Sequence, residues 1–194
     1  RSSDLSCYSK IHLFSLNYLH LNDVENSNFT ISDIVIGLAR EQRFTGQSFH
    51  PKSVLSHIID GYEKLTYEKF KRLGGEKSGD GFNDFLFQWL MHDIAEAFIK
   101  DIPQPIKKNF PSYEKVEERI LKAASKKYGF KYPFSTGIIV LDNEDKEVPQ
   151  EDKPFIINEP EKEMAEKIRL FIEIFDNLTG WHFMDESAQI LKQL

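Results

Sequence analysis

A histidine and two carboxylates lie close together in a strongly apolar stretch of the chain. His92 and Asp93 are adjacent and Glu96 follows about one helical turn later, in a segment rich in Phe, Trp and Leu. Burying such groups among apolar side chains is unfavourable unless an opposite charge compensates them. On one turn of a helix, the three side chains would lie on neighbouring faces. A divalent cation would compensate the cluster, and the pattern therefore indicates a metal site.

The pair His92-Asp93 has a second interpretation when it is taken alone. Adjacent side chains diverge by about 100° around a helix, so both can bind one ion only if it lies between them, above the helix. A core histidine hydrogen-bonded to a backbone carbonyl is the alternative. The elements that position the pair are therefore part of the argument.

Those elements are predicted to be helices, because apolar residues recur at helical spacing through most of the chain. Capping residues, prolines and glycines mark their ends. The predicted helices run from caps at Ser32 and Asp33 to about Gln42, from Pro51 to Gly74-Gly75, from about Phe82 to Lys100, from near Ser112 to Gly129, and from Pro160 through Leu178, with a short one after Met184.

Three shorter segments complete the prediction. Lys10 to Leu21 is compatible with a small strand pair, Ile138 to Leu141 with a short helix or a strand, and the charged segment Asp142 to Lys153 is expected to be exposed. The helix around His92 is apolar nearly all round and belongs in the centre. We predict an all-α fold, a bundle of about six helices, in a single domain over residues 1–194 with a helical core at about 30–180.

Composition restricts the function further. A formal net charge of −6 argues against a general nucleic-acid-binding surface. The single cysteine, Cys7, excludes an internal disulfide and a multi-cysteine zinc site, and it favours a reducing, cytoplasmic setting. The most apolar N-terminal stretch, Ile11 to Leu21, is too short and too polar to span a bilayer. We therefore expect neither nucleic acid nor a membrane as a partner.

The run from His92 to Lys107, H-D-I-A-E-A-F-I-K-D-I-P-Q-P-I-K, resembles the HD-domain metal-dependent phosphohydrolases. It is most similar to the branch that contains bacterial 5′-deoxynucleotidases and their phage relatives. There an H-D-A-x-E segment continues into G-D-[IL]-P-x-P-x-K, and Lys100 stands here in place of the usual glycine. The resemblance implies a helical bundle, a bound metal ion and hydrolysis of a phosphate ester.

Two upstream segments carry the same resemblance. Asp33 to Gly46, D-I-V-I-G-L-A-R-E-Q-R-F-T-G, is similar to the helix and R-F-x-G turn of those relatives. Ser53 to His57, S-V-L-S-H, resembles their S-V-A-x-H-S segment, which supplies the first metal histidine; Ile58 replaces the final serine. Arg43 precedes His57 by 14 positions, as expected in that branch. In all, the resemblance covers about residues 33–178.

The resemblance implies His57, His92 and Asp93 as metal ligands. It also implies a fourth carboxylate, for which Asp142, in I-I-V-L-D-N after Gly129-Phe130, is favoured over its rival Glu166. Two imidazoles and two carboxylates suit Mn²⁺, Co²⁺, Fe²⁺, Ni²⁺ or Zn²⁺ and leave positions for water and a phosphoryl oxygen.

Catalytic and substrate-binding roles follow from the resemblance as expectations. Asp93, through the metal, and Glu96, as general acid or base, are the expected catalytic residues; a solvated helix-end carboxylate is the alternative for Glu96. Arg43 is expected to bind phosphate, because guanidinium fits phosphate oxygens in a fixed fork, or else to pair with a nearby acid. The remaining expected substrate contacts are Phe44 (sugar or base), Asp101 (sugar hydroxyl, or else a turn cap) and Lys107 (phosphate, or else merely exposed).

The remaining histidines and the C-terminal aromatics are interpreted as structural. These are His12, His20, His50 and His182, with Trp181 and Phe183 expected in the core or at an interface. The apolar face of the last long helix is compatible with a homodimer and equally with a monomer.

The predicted function is metal-dependent hydrolysis of a nucleotide phosphomonoester, a (deoxy)nucleoside 5′-monophosphate. Two alternatives use the same site. One is hydrolysis of a nucleoside triphosphate or a signalling nucleotide, and the other is a non-catalytic module that binds a nucleotide or a partner. Fold analogy does not choose between them.

Overall fold

The computed structural model describes residues 9–48, 50–75, 79–144 and 159–180. As predicted, this part of the chain is all-α with a small N-terminal strand pair. Strand β1 (Lys10–His12) pairs antiparallel with β2 (Tyr18–His20), and Ile11 lies opposite Leu19. The helices are α1 (Ile31–Arg40), α2 (Val54–Glu63), α3 (Tyr67–Arg72), α4 (Gly79–Met91), α5 (Glu96–Ile99), α6 (Gln104–Lys107), α7 (Pro111–Tyr128), α8 (Thr136–Glu144) and α9 (Glu161–Thr179).

The amphipathic helix α9 packs its apolar face against α1, α2 and α4. Phe171 and Phe175 on this face are fully buried, and the helix begins directly after Pro160, as predicted. A second apolar cluster joins α3, α4 and α8 around Phe70, Phe85 and Ile138. The larger cluster, which contains Ile58, Leu90 and Phe175, fixes α2 against α4, and the second cluster fixes α8 beside α4. Together they fix α2, α8 and the turn that follows α4 relative to one another.

The prediction of one helix from Pro51 to Gly74 was wrong. Ser53 caps α2 by accepting the N–H of Ser56, so Pro51 lies before the helix rather than in its first turn. After Glu63 the chain turns, and the hydroxyl of Thr66 accepts the N–H of Lys69 to start α3. Hydroxyl side chains compete in this way for the hydrogen bonds of the helical backbone. The helix can therefore break here even though the apolar residues keep their helical spacing.

The prediction of one helix from Phe82 to Lys100 was also wrong. Helix α4 ends at Met91, and α5 begins only at Glu96. In between, the N–H of Glu96 bonds to the carbonyl of Asp93, three residues back, which makes a tighter turn than the α-helix. The imidazole of His92 donates a hydrogen bond to the carbonyl of Trp89. In a continuous helix this carbonyl would accept a backbone N–H of the next turn. A side-chain hydrogen bond thus replaces part of the helical ladder.

Other boundaries lie close to those predicted. The cap of α1 is Thr30 rather than Ser32 or Asp33, and Asp33 completes a capping box with it, because its carboxylate accepts the Thr30 N–H. Gly129 ends α7 in the left-handed conformation. Of the two alternatives for Ile138 to Leu141, the helix is present, as part of α8.

Some predictions fall outside the described residues. These are the helix after Met184, the positions of Trp181, His182 and Phe183, and most of the charged segment that follows Asp142. Within the described residues, the helices are too short or too polar to cross a lipid bilayer.

Gly61 is where α2 passes closest to α4. A Cβ at this position would lie 2.2 Å from Cζ2 of Trp89, which is 1% exposed and has no room to move. Overpacking of this kind costs about 1–3 kcal/mol. We therefore expect Gly61→Ala to lower the free energy of unfolding by that amount in urea titration. Glu63→Ala, at the exposed end of the same helix, should change it by less than about 0.5 kcal/mol. Equal effects of the two changes would contradict the close packing.

Candidate metal centre

Four side chains from three parts of the fold converge on one point. His57 comes from the first turn of α2, His92 and Asp93 from the turn between α4 and α5, and Asp142 from α8. Each offers one ligand atom, and these four atoms lie within 4.8 Å of one another. The rival Glu166 is exposed on α9 and lies outside this group.

The spacing of the four ligand atoms fits a single divalent ion. The two Nε2 atoms of His57 and His92 are 3.3 Å apart, His57 Nε2 is 3.2 Å from Asp142 Oδ1, and His92 Nε2 is 3.1 Å from Asp93 Oδ2. Neighbouring ligands at about 2.0–2.2 Å from an ion are separated by about 3–3.5 Å. Oδ1 of Asp142 is also buried, and it faces the Nε2 atoms of both histidines, at 3.2 Å and 3.6 Å. The group can therefore hold a metal ion.

The tight turn after α4 allows two adjacent residues to share the site. On a continuous helix, the side chains of His92 and Asp93 would diverge by about 100°. Here the backbone between Met91 and Glu96 is tightened, and the two ligand atoms approach each other. The break in the predicted helix is thus the local feature that brings His92 and Asp93 together.

Trp89, which by its sequence pattern is only one of the apolar residues of the central helix, fixes both histidines. Its carbonyl accepts the Nδ1–H of His92 at 2.6 Å, which leaves Nε2 of a neutral imidazole free for a metal. Its indole stacks on the His92 ring, with centroids 4.4 Å apart, and meets the edge of the His57 ring. Its own Nε1–H donates to the carbonyl of Ile58. The indole therefore spans α2 and the ligand turn.

Arg43 lies beside the carboxylates of the group. Its side chain is buried, with Nη1 3.4 Å from Asp93 Oδ2 and Nη2 3.9 Å from Asp142 Oδ1. An antiparallel bridge between Gln42 and Ser53 ties this segment to the start of α2. The guanidinium is consequently close to the ligand set and paired with its acids.

The turn after Arg43 is strained. Phe44 and Thr45 both adopt the left-handed region, with φ of 54° and 55°, which is unfavourable for any residue with a Cβ and most of all for a β-branched one. Asp101 stabilises the turn, since its Oδ2 accepts the Phe44 N–H at 2.7 Å. Glu41 in turn accepts the Asp101 N–H. Asp101 thus holds the turn that carries Arg43, rather than a turn before Pro103.

Glu96 is not the solvated carboxylate of the alternative interpretation. It is 6% exposed, and its Oε2 is buried without a hydrogen bond. Burial, followed by the negative charges of Asp93 and Asp101, raises its pKa well above the usual value. Lys107 lies 3.4 Å from Glu96 Oε1 and 2.9 Å from Glu117. Lys107 is therefore an ion-paired side chain, only 12% exposed.

Without an ion, a proton on His92 can compensate the carboxylates. Burial alone lowers the pKa of His92, but Asp93 and Asp142 outweigh it through their charges and hydrogen bonds and raise the pKa to about 10. A metal must displace this proton, so affinity for the ion should increase with pH.

We expect opposite pH trends with and without metal. A histidine with a raised pKa stabilises the fold below its unfolded value of 6.5 and loses this contribution as the pH rises through about 10. The chelator-treated protein should thus become less stable in urea over that window, while added metal stabilises it increasingly. Metal affinity that does not change with pH would contradict the displacement of a proton.

The chain is similar to a known protein, but this similarity assigns no family. No family model matches the chain. The chain is similar to the uncharacterized protein YfdR of Escherichia coli strain K12, with 30% identity over 134 residues. The alignment covers 69% of this chain and 66% of YfdR, so the chain spans slightly less than two thirds of that relative.

Proposed function

We propose that the chain is a metal-dependent phosphohydrolase of the HD-domain superfamily that cleaves a nucleotide phosphomonoester. The observation that carries this proposal is the group of His57, His92, Asp93 and Asp142, whose ligand atoms lie within 4.8 Å of one another. Arg43 and Glu96 add a cation and a carboxyl group of raised pKa at its border. A (deoxy)nucleoside 5′-monophosphate is the proposed substrate, on the basis of the sequence resemblance.

In this proposal a bound ion would supply Lewis acidity, which acidifies water and offsets negative charge on the phosphoryl group. His57, His92, Asp93 and Asp142 would hold it through imidazole nitrogens and carboxylate oxygens. The carbonyl of Trp89, on Nδ1 of His92, leaves Nε2 of that imidazole directed into the ligand group.

Arg43 binds the phosphate of the substrate. Its guanidinium is already adjacent to the ligand carboxylates, at 3.4 Å from Asp93 Oδ2. A phosphate next to the ion can therefore be reached without a large movement of the side chain. A fork of two N–H groups on two phosphate oxygens orients the phosphorus for attack.

Glu96 manages the proton of the leaving group. Because its pKa is raised, it carries a proton at a pH where an ordinary glutamate does not. It can donate this proton to the alkoxide oxygen as the P–O bond breaks. Lys107, held between Glu96 and Glu117, limits how far the pKa rises.

Release of inorganic phosphate from deoxynucleoside 5′-monophosphates in the presence of Co²⁺ or Mn²⁺ tests the proposal. We expect Asp93→Ala to abolish both metal content and turnover, because it removes a ligand. We expect Glu96→Gln to retain the metal and to lose about 10²–10⁴-fold in kcat, the contribution of general acid catalysis. Undiminished activity of Asp93→Ala would contradict the proposal. Release of pyrophosphate or triphosphate from other nucleotides would reassign the substrate.

The pH–rate profile tests the role of Lys107. Removing its positive charge in Lys107→Met leaves Glu96 facing Asp93 and Asp101, so the pKa of Glu96 rises further. We expect the limb of the profile that belongs to Glu96 to move to higher pH. Lys108→Met is the matched control, because Lys108 is the exposed neighbour. If neither change shifts the pH–rate profile, an effect of Lys107 on the pKa of Glu96 is excluded.

A further inference from the structure

The first turn of α2 carries His57 and would fray without support. The N–H of His57 makes the first backbone hydrogen bond along the helix, to the carbonyl of Ser53 at 3.1 Å. Helix ends are the least ordered part of a helix, because their first N–H groups have no intrahelical acceptor. A metal ligand in this position requires those N–H groups to be fixed by other means.

One side of this turn is fixed by the segment that follows α1. The N–H of Val54 donates to the carbonyl of Glu41 at 2.9 Å, and the N–H of Arg43 donates to the carbonyl of Lys52. These bonds hold the backbone on both sides of Ser53. They leave the N–H of Ser53 and the side chain of Ser56 for a different partner.

Glu159 is that partner. It lies more than a hundred residues away in the chain, immediately before Pro160 and α9. Its Oε2 accepts the N–H of Ser53 at 2.9 Å, and its Oε1 accepts the hydroxyl of Ser56. A carboxylate at this place also interacts favourably with the positive end of the helix dipole.

Lys167 completes the arrangement from the next turns of α9. Its Nζ donates to the hydroxyl of Ser56 at 2.9 Å and lies 3.7 Å from Glu159 Oε1. Ser56 is fully buried, and the side chain of Glu159 is 9% exposed. The negative charge of Glu159 is therefore compensated where it is shielded from water, and the contact is specific rather than a surface ion pair.

From these contacts we infer that Glu159 is a positioning residue for the metal centre, which locks the helix turn that presents His57. The inference rests on the proposed metal site and adds a residue that no ligand motif contains. Asp142 and Glu159 both contact α2. Asp142 contacts the imidazole of His57, and Glu159 contacts Ser56, the residue before it. Partners outside the ligand set typically change metal affinity by about 10–100-fold.

The test compares two glutamates that share one lysine. Glu163 also pairs with Lys167, at 3.2 Å, but it is half-exposed and no described bond joins it to α2. Glu159→Gln keeps the shape of the side chain and removes its charge. We expect this variant to bind Co²⁺ at least tenfold more weakly than the wild-type chain, and Glu163→Gln to bind it like the wild-type chain. Affinity and ligand geometry are measured from the visible absorption of bound Co²⁺, under conditions where circular dichroism shows each variant folded.

The outcomes separate this inference from the proposed function. If the wild-type chain binds Co²⁺ and Glu159→Gln binds it equally well, the positioning role is overturned and the metal site stands. If the wild-type chain binds no Co²⁺, both are overturned. If Glu159→Gln does not fold, Ser56→Ala removes only the hydroxyl contact. An unchanged Co²⁺ affinity in Ser56→Ala would then overturn the inference, and a severalfold loss would support it.

Discussion

An apolar helical core does not tolerate two carboxylates and two imidazoles unless a positive charge lies among them. That requirement accounts for much of what surrounds His57, His92, Asp93 and Asp142. A proton on His92 or a metal ion would supply this positive charge at the centre of the group, and the buried guanidinium of Arg43 supplies part of it at the border. Burial, and after it the negative charges of Asp93 and Asp101, likewise raises the pKa of Glu96, which lies outside the ligand group. Compensation of buried charge therefore connects the fold to its chemistry.

The helices with strong end signals could be predicted from the sequence. Gly129 and Pro160 end and begin α7 and α9 through their own backbone preferences, which do not depend on distant residues. The breaks after Glu63 and Met91 could not be predicted in this way. They depend on a hydroxyl of Thr66 and an imidazole of His92 that take the place of backbone partners, while the apolar periodicity continues through both.

The residues of the candidate site also fall into two groups, those that the sequence indicates and those that only the structure shows. His92, Asp93 and Glu96 are close in sequence, so their spacing alone indicates a cluster, and resemblance adds His57 and Asp142. The side chains that hold them are different. Trp89 is an ordinary core residue by its sequence pattern, and Glu159 lies in a charged stretch typical of a surface. The contacts of Trp89 with His57 and of Glu159 with Ser53 join residues far apart in the chain, and a single sequence contains no signal for them.

The antiparallel bridge between Gln42 and Ser53 has one more consequence. It makes Arg43 and the helix turn of His57 parts of one backbone unit, joined by hydrogen bonds on both sides of the bridge. An anion bound at the guanidinium and a cation bound at the imidazole would therefore act on the same few residues. Whatever factor one ligand imposes on the affinity of the other, thermodynamic reciprocity makes the reverse factor equal.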